Sequence, residues 1–241
     1  MFARAGLSWL AVAAVFLLAA EVGAGAHTSL ACNDGADATA ILTAAFNQSR
    51  SSVTLAGGHT CISEPLQILG QQQLTITLNP RAEIQAKRGS KLFGALLTIQ
   101  GAADITIQGG GSGSELPAAA GKSGGSGQAA EDPYNLTAAD LARPTLRMWR
   151  EDYADRSKYT PSEWRHVIQV LGCSRLTLHN LRLTNSGGDG IYVLGVRRGR
   201  FSSITSDHNY RQGMSVIGAQ GLIVSESVFA FTRGTAPDGW D

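Results

Sequence analysis

Charge is scarce in this chain and has no preferred sign. Only 16% of the residues are Asp, Glu, Lys or Arg, and the formal net charge is +1. A near-neutral chain has no electrostatic case for nucleic acid, which is held through phosphate charge. So few charges also leave much of the surface to Ser, Thr, Asn, Gln and Gly. Proline is sparse, at 7 residues against 29 glycines, which argues against both collagen and Pro-rich disorder. Histidines His59, His166 and His179 are scattered and suggest no metal site. With 241 residues the chain is long enough for one domain with a real core.

Long apolar runs are absent after the N-terminus. The run AGLSWLAVAAVFLLAA follows the positive start MFAR and precedes AGAHT. It is short for a membrane span of ~20 residues. With small residues at Ala24 and Ala26, the pattern predicts a signal peptide over 1–26, cleaved after Ala26. The expectation is a secreted protein with no stable membrane span once the signal is removed. Two sequons, at Asn47 and Asn135, are candidate glycosylation sites that fit export. Cysteine is rare as well: Cys32 and Cys61 flank the first helix-strand unit and are paired as a candidate disulfide, leaving Cys173 as a buried free thiol within VIQVLGCSRLTL.

What the chain does have is short periodic segments. DGADATAILTAAFNQS is the best helix candidate, with Asp37 as its cap and Ile41, Leu42, Ala45 and Phe46 on one face. Over residues 53–111 the period becomes two, in segments such as SVTLAGG, LTITLNP and DITIQGGG. GGGSGSELPAAAGKSGGSGQAAE then has no apolar period and reads as a surface excursion. Its Gly121-Lys122-Ser123 lacks the glycine spacing and the following helix of a phosphate cradle. Residues 140–165 alternate charges with Trp149, Tyr153, Tyr159 and Trp164. They form either a loop packed on the body by its aromatics or a sugar-binding lip. TPSEW within them reads as a capping box, with Thr160 at the cap and Glu163 reaching back.

The chain also repeats. NLRLTNSGGDGIYV overlies SITSDHNYRQGMSV, so that Leu181 meets Ile204, Gly190 meets Gly213 and Val193 meets Val216. A third copy, SVFAFTRGTAPDGWD, carries a small insertion. Strand repeats of this length mean a solenoid whose coils bury a shared apolar row. The recurring glycine is expected to supply a positive φ at a sharp turn. LHNLRLTN nearly fits a leucine-rich repeat, but the later copies lose its leucines. The fold class expected is all-β, a parallel β-helix with an N-terminal capping helix. One domain spans 27–241, with a long insertion or loop region at 109–165. The chain stops one or two residues into a new strand, so further C-terminal coils are expected to be missing.

On these stretches the chain resembles the right-handed parallel β-helix proteins of the pectin-lyase-like superfamily. The resemblance implies polysaccharide chemistry: glycoside hydrolysis, lyase elimination or C5-epimerisation. The family's catalytic motifs are incomplete here. There is no Asp-Asp pair, no Gly-His-Gly and no Asp-Pro-His. The candidates left are Asp189 and Asp238, which precede turn glycines and would lie roughly 9–10 Å apart two rungs away, near the upper limit for an inverting pair. Asp before such a glycine is also ordinary turn chemistry. Asp207, His208 and Arg211 form the nearest lyase-like cluster, or else a hydrogen-bonded turn ladder. Tyr192, Tyr210, Trp149 and Trp164 are the candidate sugar-binding aromatics. The partner expected is an acidic polysaccharide, bound or cleaved, with no cofactor other than calcium in the case of a lyase.

Overall fold

The structure is a computed structural model and describes residues 25–90, 94–110 and 136–232. Strand β1 (Ala26–Leu30) leads to helix α1 (Thr39–Phe46). A first coil follows as β2 (Ser51–Leu55), β3 (Thr60–Ser63) and β4 (Leu66–Leu69). A second is β5 (Gln72–Leu78), β6 (Glu83–Ala86) and β7 (Leu97–Gln100). The third starts with β8 (Ala103–Gly109), passes helix α2 (Ala138–Ala142) to β9 (Thr145–Arg147), and returns after helix α3 (Arg150–Ala154) as β10 (Ile168–Leu171). Then come β11 (Ser174–Thr184) with β12 (Ile191–Arg197), and β13 (Arg200–Asp207) with β14 (Met214–Gln220). The short β15 (Ile223–Ser225) and β16 (Val228–Ala230) close the described chain.

These strands stack into three walls, and every strand pairing is parallel. β2, β5, β8 and the first halves of β11 and β13 form one wall. β3, β6, β9 and the second halves of β11 and β13 form another. β4, β7, β10, β12 and β14 form the third. The molecule is a parallel β-helix, with the right-handed sense that crossovers between parallel strands nearly always take.

The register explains why the sequence has to alternate. Val53, Ile76, Ile107, Leu178 and Phe201 are consecutive partners up the first wall, and all are buried. Ile68, Ile99, Val170 and Val193 do the same on the third. Each such side chain contributes roughly 1.5–3 kcal/mol on burial, but only because the coils above and below complete the row. Leu181 faces Ile204 and Val193 faces Val216, the pairing read from the repeat. Leucine-rich repeats do not make three strand walls.

Corners carry left-handed residues on successive coils: glycine at one, as Gly172, Gly195 and Gly218, and other residues elsewhere. Arg175 and Arg198 sit at one corner on successive coils, Asn180 and Ser203 at the next, and Asn185 and His208 at the third, all with φ between 52° and 59°. Gly190 and Gly213, by contrast, have no positive φ. Their expected role as turn glycines is corrected: they are there for space. A Cβ on Gly213 would lie 2.9 Å from Phe229 Cβ.

Helix α1 plugs the first coils with Leu42, Ala45 and Phe46 buried. The Asp37 carboxylate accepts from the Thr39 backbone N–H at 2.9 Å and from Lys87 Nζ at 2.8 Å, which anchors the helix start to the coil below. Cys32 and Cys61 are bonded, with Cα atoms 5.2 Å apart. Cys173 is buried and free.

Two segments differ from expectation. The TPSEW capping box does not form, because 160–164 runs as an irregular strap rather than a helix. Arg165 pairs with Gly187 in an antiparallel bridge, which holds the strap extended. A capping box occurs instead at Thr137 and Asp140. Within 109–165, Thr145–Arg147 rejoin the solenoid as a rung of the second wall. Residues 1–24, 111–135 and 233–241 lie outside the described residues, and with them most of the expected signal peptide, Asn135, Asp238 and the expected break in the last coil. Among the described residues no helix is long and apolar enough to cross a membrane.

Candidate functional site

Three coils reach the third wall at the same place, and their approach residues stack. Val167 N–H donates to Asp189 O at 3.0 Å, and Gly190 N–H donates to Gln212 O at 2.8 Å. His166, Asp189 and Gln212 are therefore vertical neighbours, one per coil. Asp189 N–H donates to His166 Nδ1 at 3.0 Å. That nitrogen is an acceptor, so the imidazole carries its proton on Nε2. Burial drives the His166 pKa down to about 3, with the positive Arg211 adding to it. His166 Nδ1 lies 3.6 Å from Asp189 Oδ2, but a neutral ring makes this a packing contact rather than an ion pair.

Asp189 is fully buried. Burial raises its pKa to about 6, Glu163 pushes in the same direction, and Ser215 and Arg211 pull the other way. Its Oδ1 makes no hydrogen bond. Its Oδ2 lies 3.4 Å from Arg211 Nη1, and Arg211 Nε lies 3.4 Å from Glu163 Oε2. One guanidinium thus links a buried acid that is neutral in part of the population near pH 6 to a carboxylate at the surface.

The strap seals this cluster. A Cβ at Gly188 would collide with the Glu163 carbonyl oxygen, so glycine there permits the close approach. The Arg165 guanidinium, itself buried, donates to Thr160 O at 2.7 Å and braces the strap from beneath. Tyr192 stacks on His166 with ring centres 4.8 Å apart, and Trp164 sits edge-on to Tyr192 at 5.8 Å. Trp164 is 56% exposed and Tyr192 is buried. Tyr210 and Glu163 line an adjacent notch of about 230 Å³ with Tyr153, Arg156 and Gly187.

Asp207 belongs to a different arrangement. Its carboxylate is fully buried and accepts from Arg182 at 2.7 and 3.1 Å, from Thr184 Oγ1 at 2.5 Å, and lies 2.8 Å from His208 Nδ1. These hydrogen bonds and the Arg182 charge outweigh burial and hold its pKa below the usual carboxylate range. His208 stacks on Phe231 at 4.8 Å. This is the turn ladder of the two readings. Asp207→Ala should cost about 3–5 kcal/mol, because it strands a mostly buried Arg182. Denaturant unfolding checks this, and a loss below about 1 kcal/mol would show the ion pair to be dispensable.

Of the sequence candidates, the structure gathers Asp189, Arg211, Tyr192, Trp164 and Tyr210 and separates Asp207 and His208 from them. Trp149 is apart as well: its Nε1 donates to Ala86 O at 2.6 Å and Arg88 lies over its ring. Tyr153 and Tyr159 pack edge-to-face beneath the strap, next to Arg165. Asn47 is exposed at the end of α1. His166 and the role of Glu163 escaped the sequence reading. One more step of the repeat, back from Asp189, lands on His166.

No family model and no curated protein matches the chain. Among solved structures it is similar to a polygalacturonase from Erwinia carotovora ssp. carotovora. The identity is 14% and the TM-score 0.46, over 88% of this chain and 64% of that one. It is also similar to a candidate glycosyl hydrolase from Parabacteroides merdae, at 10% identity and TM-score 0.44, over 75% and 72% of the two chains. The chain spans less than two thirds of the polygalacturonase's length. Its own three walls and parallel register define the class: a parallel β-helix.

Proposed function

We propose that this protein is an exported polysaccharide-active β-helix that works on acidic glycans by hydrolysis, with its chemistry centred on Asp189. The observation that carries this reading is the Arg211 link between Asp189 and Glu163, beside Trp164 and Tyr210. Glycoside hydrolysis needs one carboxyl group kept protonated near working pH and another available as a base or nucleophile. Asp189, raised to about 6, suits the first role. It gives its proton to the glycosidic oxygen as the bond to the anomeric carbon breaks. Glu163 takes a proton from the water that adds to that carbon, and Arg211 holds both carboxyl groups in place. Trp164, exposed at the lip, offers an aromatic face to a sugar ring. Access to Asp189 requires the 160–164 strap to lift.

The complete burial of Asp189 favours a second reading, in which the same surface binds glycan without cleaving it. One assay separates the two. The purified protein is incubated with polygalacturonate, alginate and neutral glucans, with and without calcium, and scored for reducing ends and for unsaturated products. Hydrolysis predicts new reducing ends without unsaturated product, at a rate that declines as pH rises above about 6 and Asp189 loses its proton. Unsaturated product would overturn it in favour of a lyase. Binding with no product would leave the second reading.

A further inference from the structure

Helix α3 separates the notch beside Asp189 from another on its far side. Tyr153 and Ala154 face the first, whereas Arg150, Glu151 and Asp152 face the second. The second notch has a volume of about 200 Å³ and gathers three guanidinium groups, from Arg88, Arg147 and Arg150, with Asn185 at its edge. The first two arginines each have a carboxylate beside them, although Arg147 Nε, like Arg150 Nη1, makes no hydrogen bond. Arg88 Nε donates to Asp152 Oδ2 at 2.5 Å and lies over Trp149, and Arg147 lies 3.0 Å from Glu83. Asp152 is shared with Lys158 at 3.0 Å. The Arg150 side chain has no hydrogen bond or ion pair among the described residues, and its Nη1 is shielded from solvent without an acceptor.

A shielded guanidinium nitrogen without an acceptor is costly, and the cost is removed when an oxyanion supplies one. Glu151 also lines the notch, but no bond joins it to Arg150. We propose that this notch is an anion subsite, in which Arg150 takes a carboxylate or sulfate group carried on a sugar. Arg150 lines the notch without a carboxylate of its own, Arg147 adds positive charge beside it, and Asn185 adds an amide. The site is independent of Asp189: it holds a charged sugar whether or not the cluster across α3 performs any chemistry.

The test uses the full protein and three probes: polygalacturonate, its fully methyl-esterified form, and dextran sulfate, by titration calorimetry at physiological salt. One anionic polymer is expected to bind well above the neutral ester, and which one does so identifies the group. Arg150→Gln should weaken that binding about tenfold or more and leave the weak binding of the ester unchanged. Arg150→Lys keeps the charge without the guanidinium and should fall between. Failure of both anionic polymers to bind above the neutral ester overturns the proposal on the unmodified protein alone. So does an Arg150→Gln variant with undiminished binding and an unaltered melting curve. Turnover in Asp189→Asn and binding in Arg150→Gln are separate readouts, so lost turnover with retained binding, or the reverse, tells this subsite from the hydrolytic reading.

Discussion

Asp189→Asn is expected to lower product formation by about 10²–10⁴-fold, the worth of a general acid, and at the same time to make the protein more stable above pH 6. The two effects have one cause. In the unfolded chain an aspartate titrates near 3.9, and in the folded one burial raises Asp189 to about 6. Between those values the folded state holds the extra proton, so stability falls as pH rises through that window and then levels off. A shift of about two units corresponds to roughly 2–3 kcal/mol of penalty at neutral pH. Asparagine keeps the shape without the charge, and at pH 7.5 it should recover about 1–3 kcal/mol of that penalty. At pH 4, where Asp189 is protonated in the fold, the two proteins should unfold at nearly the same urea concentration. Equal destabilisation at both pH values would mean that Asp189 is a structural turn residue whose hydrogen bonds matter more than its proton. Asp207 has the opposite sign. Its depressed pKa contributes stability above the unfolded value that is lost as pH falls through the folded one.

Gly190→Ala is expected to cost about 3–5 kcal/mol, in the range of severe overpacking. An added Cβ would collide with Ser206 Oγ and lie 2.6 Å from the Gly213 carbonyl oxygen. That carbonyl accepts the Ile191 N–H at 3.1 Å, so moving it opens the stack between two coils. Ser206 Oγ donates to the same carbonyl at 2.8 Å and cannot retreat without losing that bond. Gly218→Ala is the contrast. Gly218 has φ +68° and nothing within 4 Å of the added carbon, so its cost is the backbone strain alone, about 1–2 kcal/mol. Chemical denaturation of the two variants decides whether crowding or backbone conformation governs these positions. Parity between them would restore the turn explanation for Gly190.

The apolar alternation and the repeat spacing were enough, from sequence alone, to specify a β solenoid and its register. Val193 lies over Val216 because each coil can bury its row only against the next. That is a local pattern with a single tertiary solution, so it is legible. The corners were legible only where Gly172, Gly195 or Gly218 marks them, since left-handed turns also fall on Arg175 and Arg198, residues that composition does not mark as turns. The roles of the acidic residues were also beyond the sequence. Asp189 and Asp207 are both aspartates within the repeat, yet one is sealed beside a single distant arginine and titrates high, and the other is met by Arg182, Thr184 and His208 and titrates low. Which partners each would meet depends on how the strap folds back through Arg165 and Gly187, and on Arg182 reaching the next coil. Burial and hydrogen bonding set a carboxyl group's charge, and both are properties of neighbours remote in the chain, which only the folded structure assigns.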